Sequence, residues 1–223
     1  MAQEYGPKIV TDGLCFCIDA SDKNSYPGSG TDWIDIGPNN ITGAFGGNPT
    51  FSTDNGGCID FDGSGDYVGY TLSGTAILGT SPFTLEIWVR MDSFSNYETW
   101  WSTTRGSNGF NIGTDASADI VWYNAGRQIE AVGALSAVGI WNYVVYTRDG
   151  SNALTAYKND AVVDTGSSSA DLSATAASLG DLDRGPSEET DGQIAIFRMY
   201  KDKCFTPAEV SQNFNAQRSR FGV

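Results

Sequence analysis

The clearest pattern in the chain is an alternation of apolar and polar side chains over residues 83–91. Period-two alternation is typical of a β-strand, because successive side chains point to opposite faces. One face of this predicted strand carries Phe83, Leu85, Ile87, Val89 and Met91, and the other carries Thr84, Glu86, Trp88 and Arg90. The segment therefore predicts a strand with one wholly apolar face for a core.

A second alternating segment, 141–148, ends at Asp149-Gly150, a pair of residues typical of tight turns. Residues 153–157 and 161–163 alternate in the same way and are separated by a turn at Asn159-Asp160. These three segments predict a meander of antiparallel strands. Further strands are predicted at 14–19, 58–62, 67–71, 110–113, 119–123 and 193–200.

One segment near the C-terminus has the features of a helix. Thr206 stands where an N-cap is expected, Pro207 follows at the first helical position, and Glu209 completes a capping box. Val210 and Phe214 then fall on one face of the helix. The sequence predicts a short C-terminal helix that begins at this cap.

Many short strands and a single helix predict an all-β fold, a two-sheet antiparallel sandwich. Glycine contributes 27 of the 223 residues and falls between the alternating segments, as expected for strands joined by tight turns. No linker or shift in composition divides the chain. We therefore expect a single domain over 1–223, with the helix and tail at 205–223.

Charge and composition exclude several functions. Asp and Glu number 27 against 13 Lys and Arg, a net charge of −14, and histidine is absent. Such an acidic chain is repelled by phosphate backbones, so we expect no nucleic-acid partner. Without histidine, Ser-His-Asp and Cys-His catalysis and histidine-ligated zinc are excluded. No apolar run reaches membrane-spanning length, so no membrane partner is expected.

The charge is unevenly distributed. Residues 198–223 carry five basic and two acidic side chains, a net +3, whereas residues 1–197 carry eight basic and 25 acidic ones, a net −17. A basic tail of this kind would bind either the protein's own acidic body or an acidic neighbour. The cysteines at 15, 17, 58 and 204 form no Cys-x-x-Cys motif, so they are predicted to be free, buried thiols.

Several segments resemble laminin-G-like domains of the concanavalin A-like superfamily. They are residues 13–20 (GLCFCIDA), 56–63 (GGCIDFDG), 191–200 (DGQIAIFRMY) and 205–210 (FTPAEV). The ending, 212–215 (QNFN) and 220–222 (RFG), is similar to the version in structural proteins of marine tailed phages, particularly cyanophages. The resemblance covers essentially the whole chain and implies a two-sheet antiparallel jelly roll.

The resemblance implies a non-enzymatic phage virion protein, a capsid decoration or a tail or fibre component. Its lectin-like sandwich would serve assembly contacts and glycan adhesion, with other virion proteins, further copies of itself and cell-surface glycans as partners. The charge favours the outer surface of the virion, because packaged DNA would repel an acidic subunit inside. The N-terminal residues lack the features of a secretory signal, so synthesis in the host cytoplasm is expected. A free carbohydrate-binding lectin and a glycan-cleaving enzyme of the same fold are the alternatives.

Catalysis is not expected from the distribution of carboxylates. Glycanases of this sandwich place two carboxylates on one strand face, as nucleophile and as acid/base. Glu86 is alone on its predicted strand, and Asp181 and Asp183 lie in a predicted loop. The sequence therefore favours a non-enzymatic function.

Calcium is the cofactor that the acidic turns suggest. The stretch 60–66 begins like an EF-hand loop, but position 12 is Thr71 rather than the bidentate glutamate, so an EF-hand is excluded. The laminin-G-like resemblance implies instead a Ca²⁺ ion at a sandwich edge. Its candidate ligands are Asp62, Asp66, Asp183 and Asp191. The alternative is that these carboxylates only accept backbone hydrogen bonds in turns.

Two further sets of residues are candidates for binding. Trp100 and Trp101 are adjacent, so at most one should face the core, and the other would be an exposed platform for a sugar ring with Tyr97 and Tyr123 nearby. The alternative is that these tryptophans are core or edge-capping residues, as most tryptophans of such a sandwich are. In the tail, the candidate partner contacts are Phe214 and Phe221 as apolar anchors and Arg218 and Arg220 as polar clamps. The alternative is that Phe214 packs against the chain's own sandwich.

Overall fold

The computed structural model describes residues 8–94, 97–103, 109–181 and 188–223. Sixteen antiparallel strands make up the body of the described chain, and one α-helix follows the last strand. The elements in chain order are β1 (Leu14–Asp19), β2 (Asp32–Ile34), β3 (Thr42–Gly46), β4 (Thr50–Ser52), β5 (Cys58–Asp62), β6 (Tyr67–Thr71), β7 (Phe83–Met91), β8 (Glu98–Thr103), β9 (Asn111–Thr114), β10 (Ile120–Tyr123), β11 (Arg127–Ala131), β12 (Trp141–Arg148), β13 (Ala153–Lys158), β14 (Ala161–Ser167), β15 (Ala176–Leu179), β16 (Asp191–Lys201) and α1 (Pro207–Phe221).

The strands form two sheets, which confirms the predicted all-β sandwich. The first sheet runs β14-β13-β12-β7-β16-β5-β4, with β1 also paired to β16. The second runs β11-β10-β9-β8-β15-β6-β3-β2. The β12–β13–β14 meander has the predicted antiparallel pairing. In the described parts of the chain, no helix is long and apolar enough to cross a membrane.

The main core lies between the two sheets. The predicted apolar face of β7 points into it, and its five side chains are at most 1 % exposed. Aromatic rings from both sheets meet there: the Trp101 ring of β8 stacks on the Phe197 ring of β16, with 4.3 Å between centroids. Burial of this apolar area is the main force that holds the sheets together.

The helix α1 covers the outer face of the first sheet. Its capping box is present as predicted: the Glu209 backbone N–H donates to Thr206 Oγ1, and the Thr206 backbone N–H donates to Glu209 Oε2. Gly222 ends the helix at φ 72°, a left-handed conformation that glycine adopts without strain. Beneath the helix, Trp88 from the second face of β7 joins Phe214 and Phe221 in a separate buried cluster.

Candidate functional site

The structure contradicts the predicted exposure of one indole in the Trp100-Trp101 pair, because both side chains are fully buried. The pairing of β8 with β9 is irregular between Thr99 and Trp101, a β-bulge at the first tryptophan. A bulge interrupts the strict alternation of faces, so both indoles join the core between the sheets. Trp100 Nε1 donates to the sulfur of Met91 at 3.2 Å. Neither tryptophan offers a face to a sugar.

The two tyrosines predicted to accompany these indoles are exposed. Tyr97, just before β8, is 51 % exposed, and Tyr123, at the end of β10, is 47 % exposed. Arg127 connects them: it lies opposite Tyr123 in the β10–β11 register, and its Nη2 atom donates to the Tyr97 hydroxyl at 3.0 Å. Its guanidinium carbon also lies 5.3 Å from the centre of the Tyr97 ring, a cation–π contact.

Three carboxylates surround the Arg127 guanidinium. Nη2 lies 2.6 Å from Asp115 Oδ2, Nη1 donates to Glu130 Oε1, and Nη1 lies 4.0 Å from Asp119 Oδ2. One oxygen from each of the three carboxylates can be found within 4.8 Å of the others. We call Tyr97, Asp115, Asp119, Tyr123, Arg127 and Glu130 the tyrosine–arginine site.

Local backbone structure fixes the carboxylates of this site. Asp115 and Asp119 lie in the turn between β9 and β10, where Asp115 Oδ1 accepts the backbone N–H groups of Ser117 and Asp119. Asp119 Oδ1 accepts the Gly133 N–H at 2.6 Å. Burial by itself would lower the pKa of Arg127, but the hydrogen bonds with Asp115 and Tyr97 outweigh it and raise the pKa. The guanidinium is therefore firmly held in its charged form.

The site faces away from the core, on the outer face of the second sheet. Ile120, Trp122 and Ile129 point into the core, so the alternating residues Tyr123 and Glu130 point outward. The two tyrosines are predicted from the sequence, whereas Arg127 and the three carboxylates are not. These residues are spread over 115–130, and only the β9–β10–β11 pairing brings them together.

Of the predicted calcium ligands, Asp62 and Asp66 lie at the turn between β5 and β6, and Asp191 is the first residue of β16. Asp66, which is buried, accepts the Asn48 N–H at 2.6 Å and the Asp62 N–H at 3.2 Å. Asp62 Oδ1 accepts the Ser64 N–H at 2.9 Å, and Asp191 lies opposite Asp62 in the β5–β16 register. Burial raises the pKa of Asp66.

These contacts match the alternative in which the carboxylates build turns. Asp183 lies outside the described residues. Within the described ranges, the group of three acidic side chains with oxygens close enough to share an ion is Asp115, Asp119 and Glu130 rather than this turn. Calcium binding at Asp62, Asp66 and Asp191 stays a prediction.

Three of the four tail residues predicted to contact a partner instead make contacts within their own chain, which contradicts that prediction. Phe214 and Phe221 are buried, and the Phe221 ring stacks on the Trp88 ring at 4.1 Å between centroids. Arg220 forms an ion pair with Asp19 at 2.9 Å and donates to backbone carbonyls of the β4–β5 connection. An amphipathic helix buries its apolar face on the nearest apolar surface, here the chain's own first sheet.

Arg218 is the exception among the four tail residues. It is exposed, with its guanidinium carbon 5.7 Å from the Phe214 ring centre. The packing of Phe214 on its own sandwich, which the sequence left as the alternative, is the observed arrangement. The basic tail likewise binds the acidic body of the same chain through Arg220 and Asp19.

A buried polar network under α1 was not foreseen from the sequence. Glu86 of β7 is 1 % exposed and forms an ion pair with Arg198 of β16, 2.6 Å between Oε1 and Nη1. Tyr143, Tyr200 and Asn213 also donate to its carboxylate. Glu86 is thus closed off from solvent and from substrates.

The four cysteines are free, and Cys15, Cys17 and Cys58 are buried as predicted, whereas Cys204 is partly exposed. Burial raises the pKa of the Cys15 thiol to about 12 and that of Cys58 to about 11. Thiols that stay protonated at neutral pH are poor nucleophiles and poor metal ligands. They therefore serve packing rather than chemistry.

Comparison with known families agrees with this architecture. A laminin G family model, described as the concanavalin A-like lectin/glucanases superfamily, matches residues 62–211. The chain belongs to this superfamily. The match confirms the predicted superfamily, and the superfamily's description includes both lectins and glucanases. No curated protein matches the sequence.

Solved structures of similar fold include botulinum neurotoxin binding domains. One is the binding domain of botulinum neurotoxin DC in complex with SialylT, with a TM-score of 0.72, 16 % identity, and coverage of 92 % of this chain and 52 % of that one. The same neurotoxin binding domain in complex with rat synaptotagmin II has a TM-score of 0.71 and 14 % identity, with coverage of 92 % of this chain and 52 % of that one. The botulinum neurotoxin serotype G binding domain has a TM-score of 0.68 and 14 % identity, with coverage of 89 % of this chain and 50 % of that one. This chain spans about half the length of these structures. The similarity shows the fold.

Proposed function

We propose that this chain is a non-catalytic binding domain that recognises glycans at the tyrosine–arginine site. The observation that carries the proposal is a pair of exposed rings beside Arg127: Tyr97 contacts the fixed guanidinium, and Tyr123 lies opposite Arg127 in the β10–β11 register. Aromatic faces stack on the apolar faces of sugar rings, and rigid polar groups beside them bind the hydroxyls. The site offers both kinds of contact on one outward face.

The carboxylates of the site support binding rather than hydrolysis. A glycosidase needs one carboxyl group free to donate a proton and a second free to attack or to activate water. Asp115 is paired with Arg127 and accepts backbone N–H groups, and Asp119 accepts a backbone N–H. Carboxylates that are already engaged in this way keep their geometry and accept hydrogen bonds from sugar hydroxyls.

The structural relatives give independent support for a binding role. They are binding domains, and one is described as a complex with SialylT. For botulinum neurotoxin type C, cell entry is described as dependent on interaction with two ganglioside molecules. Another structure is a complex of the neurotoxin DC binding domain with the protein rat synaptotagmin II. Glycans and proteins on cell surfaces are therefore the partner classes that we propose for this chain.

We propose further that the domain is displayed on the outer surface of a phage virion, on the capsid or the tail. The support is the resemblance of its closing segments to structural proteins of cyanophages and the net charge of −14, which disfavours a place beside packaged DNA. Self-association and affinity for capsid or tail proteins are the expected outcomes in light scattering and pull-down experiments. A monomer that binds sugar tightly and no virion protein would instead establish a free lectin.

A glycan array followed by calorimetry tests the binding site. Tyr123→Ala should weaken binding of the best glycan about tenfold through loss of the stacked ring. Tyr97→Phe keeps the ring and should retain most of the affinity, whereas Tyr97→Ala should lose it. Val162→Ala, at a side chain that is 53 % exposed on β14, is the matched surface control. Equal affinities for all four variants would exclude this site, and release of reducing sugar would establish the enzyme.

A further inference from the structure

We infer that the tyrosine–arginine site selects uncharged or amino-bearing glycans and rejects carboxylated and sulfated ones. The inference rests on the proposed function and adds the chemical class of ligand. Its basis is the charge of the groups around the exposed rings. Three carboxylates, Asp115, Asp119 and Glu130, face a single guanidinium, so the site carries a net charge of −2.

The two terminal nitrogens of Arg127 are already engaged by groups of the protein. Its Nη2 atom is engaged by Asp115 and the Tyr97 hydroxyl, and its Nη1 atom by Glu130. The side chain of Asp115 is only 10 % exposed. If a ligand carboxylate displaced Asp115 from Arg127, the buried Asp115 carboxylate would lose its counter-charge. Such a loss is costly in a poorly solvated position. An anionic ligand would therefore break an existing ion pair to form a new one.

The exposed part of the site is acidic as well. The side chain of Glu130 is 49 % exposed and points to the same outward face as Tyr123. A further carboxylate, Asp164 of β14, accepts the Glu130 backbone N–H at 2.7 Å. Carboxylate oxygens accept hydrogen bonds from hydroxyl and ammonium groups but repel carboxylate and sulfate. The groups that meet a ligand thus favour neutral or amino sugars.

Calorimetry with matched oligosaccharides tests this selectivity. Two sets of probes are compared. The first set is neutral chitotriose, the amino-bearing glucosamine trimer and the acidic galacturonic acid trimer. The second set is neutral lactose and acidic 3′-sialyllactose. We expect the neutral member of at least one set to bind, the amino trimer to bind at least as tightly as chitotriose, and the acidic probes to bind at least fivefold more weakly. Tighter binding of the acidic probes would overturn the inference and leave glycan binding standing. No binding by any probe or array glycan would overturn the proposed function itself.

A charge-neutralising variant separates site selectivity from the general acidity of the protein. Glu130→Gln should reduce the discrimination between lactose and sialyllactose, or between chitotriose and the galacturonic acid trimer, by about two- to fivefold, the effect of one partly exposed charge. The control, Asp12→Asn, removes the same charge beside Lys203, near α1 on the opposite side of the sandwich. Equal discrimination in both variants would show that the local carboxylate does not set the selectivity. Melting temperatures confirm that both variants are folded.

Discussion

Glu86 and Arg198 form an ion pair of 2.6 Å on neighbouring strands of the first sheet, and α1 closes over it. Their side chains are 0 % and 4 % exposed. The pairing with Glu86 raises the pKa of Arg198 against the opposing effect of burial. The helix supplies Asn213, which donates to Glu86 at 2.8 Å, and Gln217, which accepts from Arg198 at 3.1 Å. The pair therefore fixes the position of the helix as well as the register of the two strands.

Glu86→Gln should lower the free energy of unfolding by about 3–5 kcal/mol, because it leaves the Arg198 charge buried without a counter-charge. Urea denaturation measures the change. The control, Asp92→Asn, breaks the exposed Arg90–Asp92 pair at the end of the same strand and should cost less than about 1 kcal/mol. The double variant Glu86→Gln with Arg198→Met removes the unpaired charge and keeps an acceptor for Tyr143 and Asn213, so it should be more stable than Glu86→Gln alone. Equal losses for Glu86→Gln and Asp92→Asn would contradict this account.

The aromatic contacts of the last helical turn give a second prediction. Phe221 packs between Trp88 and Trp141, with ring centroids 4.1 and 4.8 Å away. Phe221→Ala should cost about 3–5 kcal/mol of unfolding free energy because it leaves a cavity under the helix end. Ser219→Ala, at an exposed position of the same turn, should leave stability nearly unchanged. A small effect of Phe221→Ala would mean that the helix end is dispensable and available to a partner.

The elements predicted correctly from the sequence are those with a local signature. The alternation of β7 and the turn residues between β12, β13 and β14 are visible within short windows, as is the Thr206–Glu209 capping box. Each of these patterns depends on neighbours in the chain. For that reason the sheet meander and the helix start were predictable without any tertiary contact.

The missed elements are stabilised by distant partners. Strands β2, β3 and β4 are three to five residues long and show little alternation, and their strand character comes from pairing. The bulge in β8 has no signature in the Trp100-Trp101 dipeptide, so the burial of both indoles could not be foreseen. Likewise, Tyr97 and Arg127 are 30 residues apart, and the β8–β9–β10–β11 pairing brings them into contact.

Calcium at the turn between β5 and β6 gives a third prediction. An ion that binds only the folded state must raise the melting temperature, so calcium added to EDTA-treated protein should raise it. Asp62→Asn should abolish the response if Asp62 is a ligand, whereas Asp160→Asn, in the turn between β13 and β14, should retain it. Identical melting curves with calcium and with EDTA would contradict the prediction and leave Asp62 and Asp66 with the turn contacts described above.

The buried thiols give a prediction for alkaline pH. The pKa of Cys58 is raised from 9.0 to about 11 in the folded protein, mainly by burial. Between these values the unfolded chain releases the proton and the folded chain keeps it, so the free energy of unfolding falls as pH rises. One such thiol lowers it by up to about 1.4 kcal/mol per pH unit above pH 9.

Urea denaturation at pH 8, 9 and 10 measures this dependence in the wild type and in Cys58→Ala. The variant loses packing at every pH, which shifts its stability by a constant amount. Its stability should therefore decline less steeply than that of the wild type between pH 9 and 10. Cys204→Ala, at the partly exposed cysteine, is the matched control and should follow the wild-type slope more closely. Parallel slopes for the wild type and Cys58→Ala would show that the Cys58 thiol is not shielded as its burial indicates.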